Sequence, residues 1–161
     1  MATDTGRVLE WAAREGEYPL PAEPDATGTA VEPDCGDNLT MGFKTHREII
    51  TEIGFDLTKS ACPPTRACAV CAAHLAKGKA VMAAYLTVTA KSIAKELSTD
   101  GELDHGHVHC ALMAELAFKR ALAAYSARRR SEHEAEQIEA PRSLPRRFFM
   151  LLFRSGTLSQ P

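Results

Sequence analysis

The sequence predicts an α+β domain, a small antiparallel sheet with helices packed on one of its faces. Three observations lead there. Leu39, Met41 and Phe43 alternate with Thr40, Gly42 and Lys44, and beyond Thr45–Glu48 the residues Ile49, Ile53, Phe55 and Leu57 keep one parity against Glu52, Asp56 and Thr58. Alternation with period two on both sides of a short polar segment is a β-hairpin with one buried face. Downstream, apolar residues recur at i, i+3, i+4 and i+7, which is helical spacing. Strands first and helices after favour a layer of helices over one sheet.

The elements follow in order. A short helix is expected around Val8–Arg14, within an N-terminal segment 1–17. Pro19, Pro21, Pro24, Gly28 and Pro33 then make 18–34 an extended lead-in without regular structure. After the hairpin, Pro63-Pro64 breaks the chain and Thr65 caps a first long helix. Cys68, Cys71, Ala72 and Leu75 form its apolar face, and Gly78 ends it. Ala90, Ile93, Ala94 and Leu97 repeat the pattern in a second helix, and 99–106 is a polar loop. The last helix runs from near His109 to about Ser131, with one stripe of Ala111, Ala114, Phe118, Leu122 and Tyr125 and a second of Leu112 and Leu116, so it is expected to make contacts on two sides. The compact domain is therefore 18–131, followed by an appendage at 132–161 that is rich in Glu and then Arg.

The totals bound the function. With 161 residues the chain can bury a real core, and 45% hydrophobic with 25% charged residues is ordinary for a globular protein. A net charge of −2 gives no global pull towards nucleic acid or an anionic membrane. No apolar run reaches the roughly 18–20 residues of a bilayer span. No secretory signal is visible, and five cysteines, an odd number, are not spaced as a disulfide framework. Both observations lean towards the cytoplasm and towards metal binding or thiol chemistry.

Cys35 lies in the turn Pro33-Asp34-Cys35-Gly36-Asp37, Cys62 in the break before the first long helix, and Cys110 after His109 at the start of the last helix. Three cysteines at element ends can converge. Iron in iron–sulfur clusters is held by thiolates, with imidazole as an occasional substitute. Three thiolates with Asp37 or His109 as a fourth, weaker donor make a site that holds a cluster without trapping it, because a hard carboxylate matches such a cluster poorly. Cys110 at a helix N-terminus is favoured as a thiolate. Spacing alone leaves open that these cysteines are small buried hydrophobes.

The ordered set of motifs resembles the NifU N-terminal/IscU scaffold family. Cys35-Gly36-Asp37 is similar to the family's Cys-Gly-Asp segment, Phe55 through Cys62 to the strand before its second cysteine, and Lys77-Gly78-Lys79 to the Lys-Gly-Lys ending its first helix. His109-Cys110-Ala111-Leu112 with Glu115-Leu116-Ala117 is similar to its third-cysteine helix, and the likeness extends from about Tyr18 to Tyr125. The resemblance implies a scaffold without catalytic turnover that binds iron, receives sulfur from a cysteine desulfurase, builds a transient [2Fe–2S] cluster and passes it to apo iron–sulfur acceptor proteins. It implies Cys35, Cys62 and Cys110 as ligands, Asp37 as the group that keeps the cluster labile, His109 as an alternative ligand and Cys110 as sulfur acceptor.

The sequence departs from the family in three places, one being the residues around Glu32, loose relatives of its usual lead-in. Ala61 precedes Cys62 and Pro63-Pro64 follow it, which stiffens that loop. The Leu-Pro-Pro-Val-Lys motif read by a dedicated chaperone in part of the family is replaced by Leu103-Asp104-His105-Gly106-His107, which leaves chaperone-assisted transfer without its recognition sequence.

Other readings compete. The same Cys35, Asp37, Cys62 and Cys110 suit a zinc-binding regulatory or structural module. Cys68 and Cys71 form a CxxC, but they share the apolar helix face and lack the βαβ context of a redox motif, so core packing is the preferred reading. His105 and His107 read as a solvated loop, and His46 and His74 have no constellation. The tail Arg146-Arg147, Phe148 to Phe153 and Arg154 suits a partner-docking or membrane-surface element, and equally a tail folded back on the domain or a disordered end.

Overall fold

The computed structural model describes residues 4–33 and 36–139. Its elements are α1 (Thr5–Ala13), a 3-10 turn at Glu15–Glu17, β1 (Ala26–Val31), β2 (Asn38–His46), β3 (Ile49–Leu57), α2 (Pro63–Ala76), α3 (Val81–Thr87), α4 (Ala90–Leu97) and α5 (Val108–Glu139). The chain divides into two units, Met1–Arg128 and Arg129–Pro161. The sheet and the candidate site belong to the first.

The sheet is an antiparallel meander in the order β1-β2-β3. The expected hairpin is β2–β3, with Met41 opposite Phe55 and Phe43 opposite Ile53. Its two-residue turn places Arg47 and Glu48 at φ 50° and 64°. One expectation fails within it. Ile49 is exposed, and Ile50 takes the core position. A bulge between Lys44 and Thr45 pairs Thr45 with Ile50 but Lys44 with Glu52, leaving Thr51 as the extra residue. An extra residue inverts the parity of everything beyond it.

β1 lies inside the stretch expected to be irregular. The prolines flank it, and Ala26 and Ala30 point into the core beside Gly28. Such small residues carry little hydrophobic signal, yet the packing requires them. A Cβ on Gly28 would stand 2.1 Å from Ala121 N and 2.3 Å from Ala117 O, so β1 lies directly on the backbone of α5. Phe43 meets the rings of Phe118 and Tyr125 at 6.2 and 5.6 Å. The Tyr125 hydroxyl donates to Glu48 Oε1 at 3.0 Å and tethers the hairpin tip to the same helix. The lead-in before β1 also packs: Gly42 and Gly54, opposite each other in register, make room for Leu20, Pro24 and the Pro19 backbone.

The edge of β3 is covered at both ends. Phe55 N–H donates to Tyr18 O at 3.0 Å, and Ile50 N–H donates to Lys79 O at 2.9 Å. Covered edges do not template pairing with other chains.

The helices differ from expectation in four ways. α3 lies in a stretch where the sequence predicts no element. Thr65 does not cap α2: Cys62 is the N-cap residue and Pro63 and Pro64 fill the first two helical positions, where a missing N–H costs nothing. Leu112 and Leu116 are exposed, so among the described residues α5 buries its Ala111–Tyr125 stripe and not the second one. Gly78, at φ 77°, follows α2 as expected. α5 runs to Glu139, beyond the expected end near Ser131. The expected tail element at Arg146–Arg154 lies outside the described residues.

Gly28→Ala is expected to cost about 3 kcal/mol, because the new methyl meets helix backbone and no flexible side chain can yield. Urea unfolding measures it. An unchanged midpoint would contradict the β1–α5 contact.

Candidate functional site

Three element ends meet at one end of the sheet: the entry to β2, the N-terminus of α2 and the first turn of α5. Asp37 enters from the first, Cys62 and Thr65 from the second, His109 and Cys110 from the third. Asp37, Thr65 and Cys110 are buried, and Cys62 is half-buried.

The groups meet at the Thr65 hydroxyl. Thr65 Oγ1 is 3.1 Å from Cys62 Sγ and 3.3 Å from Cys110 Sγ, and it donates its one proton to Asp37 Oδ2 at 3.2 Å. Cys110 Sγ is in turn 3.3 Å from His109 Nε2. Asp37, Cys62, His109 and Cys110 are thus drawn into one network. Cys35 and Asp34 lie outside the described residues. Among the described residues, no three His, Cys, Asp or Glu side chains form a group that could hold a metal ion. Asp37, Cys62 and Cys110 each turn towards a hydroxyl.

The Cys62 loop is fastened. Arg66 Nε donates to Ala61 O at 3.1 Å, Nη2 donates to Lys59 O at 2.6 Å, and Nη1 forms an ion pair with Glu15. Ala61 N–H donates to Thr58 O at 2.9 Å, and Thr58 N–H donates to Asn38 O at 3.1 Å, which ties the loop to the start of β2. The stiffness expected of Pro63-Pro64 is therefore reinforced from both sides.

Thr65 and Arg66 are the residues that sequence reasoning missed. The signal was present: prolines at the first two positions of a helix make Cys62 the N-cap and place Thr65 at the third position, whose side chain reaches back towards the cap.

The CxxC is core. Cys68 and Cys71 are fully buried. Burial pushes the Cys68 thiol well above its ordinary range, and the thiols of Cys110, Cys71 and Cys62 add to that. Burial, with Glu96 adding to it, raises Cys71 to about 12. Inert thiols of this kind do not make a redox pair. His107 Nδ1 lies 2.8 Å from Asp104 Oδ1, within the polar loop. His74 accepts or shares a proton with the Tyr18 hydroxyl at 3.0 Å and packs edge-on to Trp11. No helix of the described residues is long and apolar enough to cross a membrane.

The sequence matches the NifU-like N-terminal domain over residues 15–132. The chain belongs to that family. It is 33% identical over 110 residues to "Iron sulfur cluster assembly protein 1" of Trachipleistophora hominis, covering 68% of this chain and 75% of that protein. It is also 33% identical over 101 residues to an iron–sulfur cluster assembly scaffold protein, IscU, of Archaeoglobus fulgidus, covering 63% of this chain and 62% of that protein. The fold is similar to the crystal structure of a candidate iron–sulfur cluster assembly scaffold protein for the SUF system from Fervidobacterium islandicum, with a TM-score of 0.57 at 15% identity, covering 73% of this chain and 95% of that one. The NifU-like match contains every described residue of the site, from Asp37 to Cys110.

Two outcomes are expected for the buried cysteines. Brief alkylation of the folded protein should label Cys62 and leave Cys68 and Cys71 unlabelled until the protein unfolds, as read by peptide mass spectrometry. Stability should also depend on alkaline pH through Cys71. The unfolded thiol loses its proton near the ordinary 9 and the folded one near 12, so the contribution is complete below pH 9 and is lost as pH rises towards 12. Cys71→Ala should flatten the fall in stability across that window. An equal slope in both proteins would contradict the burial of the thiol.

Proposed function

We propose that this chain is an iron–sulfur cluster assembly scaffold, whose cargo is a labile [2Fe–2S] cluster held by Cys35, Cys62 and Cys110 with Asp37 as the weak fourth donor. The observation that carries the reading is the meeting of Asp37, Cys62 and Cys110 at a single buried hydroxyl, within a chain of the NifU-like family. The relatives named for cluster assembly support a scaffold over a zinc module using the same donors.

Each residue has a task in this reading. Cys62 and Cys110 supply thiolates from helix ends, and Cys35 supplies the third. Asp37 is a hard oxygen donor beside soft sulfur donors, so the bond it makes to iron is the one most easily given up. Cys110 accepts sulfur. Its sulfur attacks the outer sulfur of a desulfurase persulfide, a new S–S bond forms on Cys110, and the donor cysteine leaves as a thiolate. His109, 3.3 Å from that sulfur, takes the thiol proton as the attack begins. The transferred sulfur is still at the sulfane level, and an external reductant must supply two electrons for each sulfide built into the cluster. The partners are therefore a cysteine desulfurase, an electron donor and apo iron–sulfur acceptor proteins.

The reading is tested by anaerobic reconstitution with iron, cysteine and a desulfurase. The wild-type chain should develop visible thiolate-to-iron absorption and pass the cluster to an apo-ferredoxin. A protein that stays colourless would refute it. Asp37→Ala should transfer its cluster more slowly, roughly tenfold on the scale of a perturbed metal site. A rate equal to or above wild type would count against Asp37 as the labile donor.

Sulfur entry is tested separately. After a short reaction with desulfurase and cysteine, mass spectrometry should find persulfide chiefly on Cys110 and none on Cys68 or Cys71. Modification of Cys68 or Cys71 with Cys110 untouched would defeat this route.

A further inference from the structure

We propose that Thr65 is a positioning residue for cargo binding, its hydroxyl gathering Asp37, Cys62 and Cys110 around one point before any metal arrives. The inference rests on the scaffold reading above and assigns the site a residue that is not itself a ligand.

The hydrogen-bonding capacity of the hydroxyl supports this. A threonine hydroxyl has one proton to donate and two lone pairs to accept with. Three site groups lie at 3.1, 3.2 and 3.3 Å from Oγ1, so its full capacity is used within the site. A carboxylate accepts only, and takes the proton. Thiols are weak donors, and each can give its hydrogen to a lone pair. One small group thus satisfies three different partners.

The backbone holds the hydroxyl still. Thr65 is fully enclosed, at 1% exposure. Pro63 and Pro64 fix the two residues before it, and the Arg66 backbone N–H after it donates to Cys62 O at 3.2 Å. A β-branched side chain in a helix is confined to few rotamers. Thr65 therefore has little freedom to aim elsewhere.

Such an arrangement affects binding in a defined direction. Without the hydroxyl, the carboxylate and the two sulfurs lose their common partner and are free to turn apart. A metal must then gather them again on binding. Loss of an outer-shell partner of this kind costs on the order of 10–100-fold in metal affinity. When cargo is bound, the same proton remains available for one donor atom.

The experiment uses cobalt(II) as a probe of the apo protein under anaerobic conditions, so it needs no cluster, desulfurase or acceptor. Cobalt bound by thiolates shows charge-transfer and ligand-field absorption that reports donor set and geometry. Wild type should bind with both features. Thr65→Val, nearly the same shape without the hydroxyl, should bind at least tenfold more weakly with altered ligand-field bands. Thr65→Ser, which keeps the hydroxyl, should restore both. Circular dichroism and thermal melting report the fold of each variant. If Thr65→Val is not folded, Thr65→Ala against Thr65→Ser makes the same comparison.

Wild-type binding with an indistinguishable Thr65→Val spectrum and affinity overturns the role of Thr65 and leaves the scaffold reading intact. A folded Thr65→Ser no better than Thr65→Val also overturns it. A wild-type protein without cobalt–thiolate bands removes the site, and both proposals with it.

Discussion

Helix α2 keeps Ala67, Cys68, Ala69, Val70, Cys71, Ala72, Ala73 and Ala76 away from solvent. A helix with so little polar surface must be enclosed by its neighbours, and nearly all of these residues are small, so the neighbours come close. α1, α4 and β3 all pack against it. The same helix begins at Cys62, so the packing that stabilises the core also sets where that sulfur sits. The site has no scaffold separate from the core.

That coupling explains why a CxxC can lie beside the candidate site without taking part in it. Cys68 and Cys71 have the chemistry of ligands and the position of alanines. Desolvation decides between the two, because a thiolate cannot form readily where no water or cation compensates it. Cys62 lies at the helix end and only half-buried, within reach of a hydroxyl. About two helical turns separate a half-buried sulfur from enclosed ones.

The sequence made the large periodic features legible. The β2–β3 hairpin, α4 and the apolar stripe of α5 could be read because large side chains repeat there. β1 could not, because its inward residues are Ala26, Gly28 and Ala30, and smallness is what contact with α5 demands. The switch from Ile49 to Ile50 was hidden because a bulge is a property of two paired strands and not of one. Cys62, Cys110, Asp37 and His109 were legible by residue type and order. Thr65 was not, since a threonine near two prolines reads first as a cap. Its hydroxyl meets Asp37, Cys62 and Cys110 only when three distant segments of chain are brought around it.

The remaining question is where a scaffold keeps the freedom to release its cargo. The Cys62 loop has little to offer. Arg66 holds the carbonyls of Ala61 and Lys59, and two prolines follow the cysteine. Cys110 is enclosed in the first turn of a helix whose backbone presses on β1. Opening either element would disturb packing that the whole domain shares. Release by donor chemistry carries no such cost. If Asp37 is the weak donor proposed above, it can leave iron while the backbone stays in place, and the Thr65 hydroxyl that donates to it offers the carboxylate a partner at once. On the proposed reading, lability lies in the mismatch between a hard donor and a soft cluster.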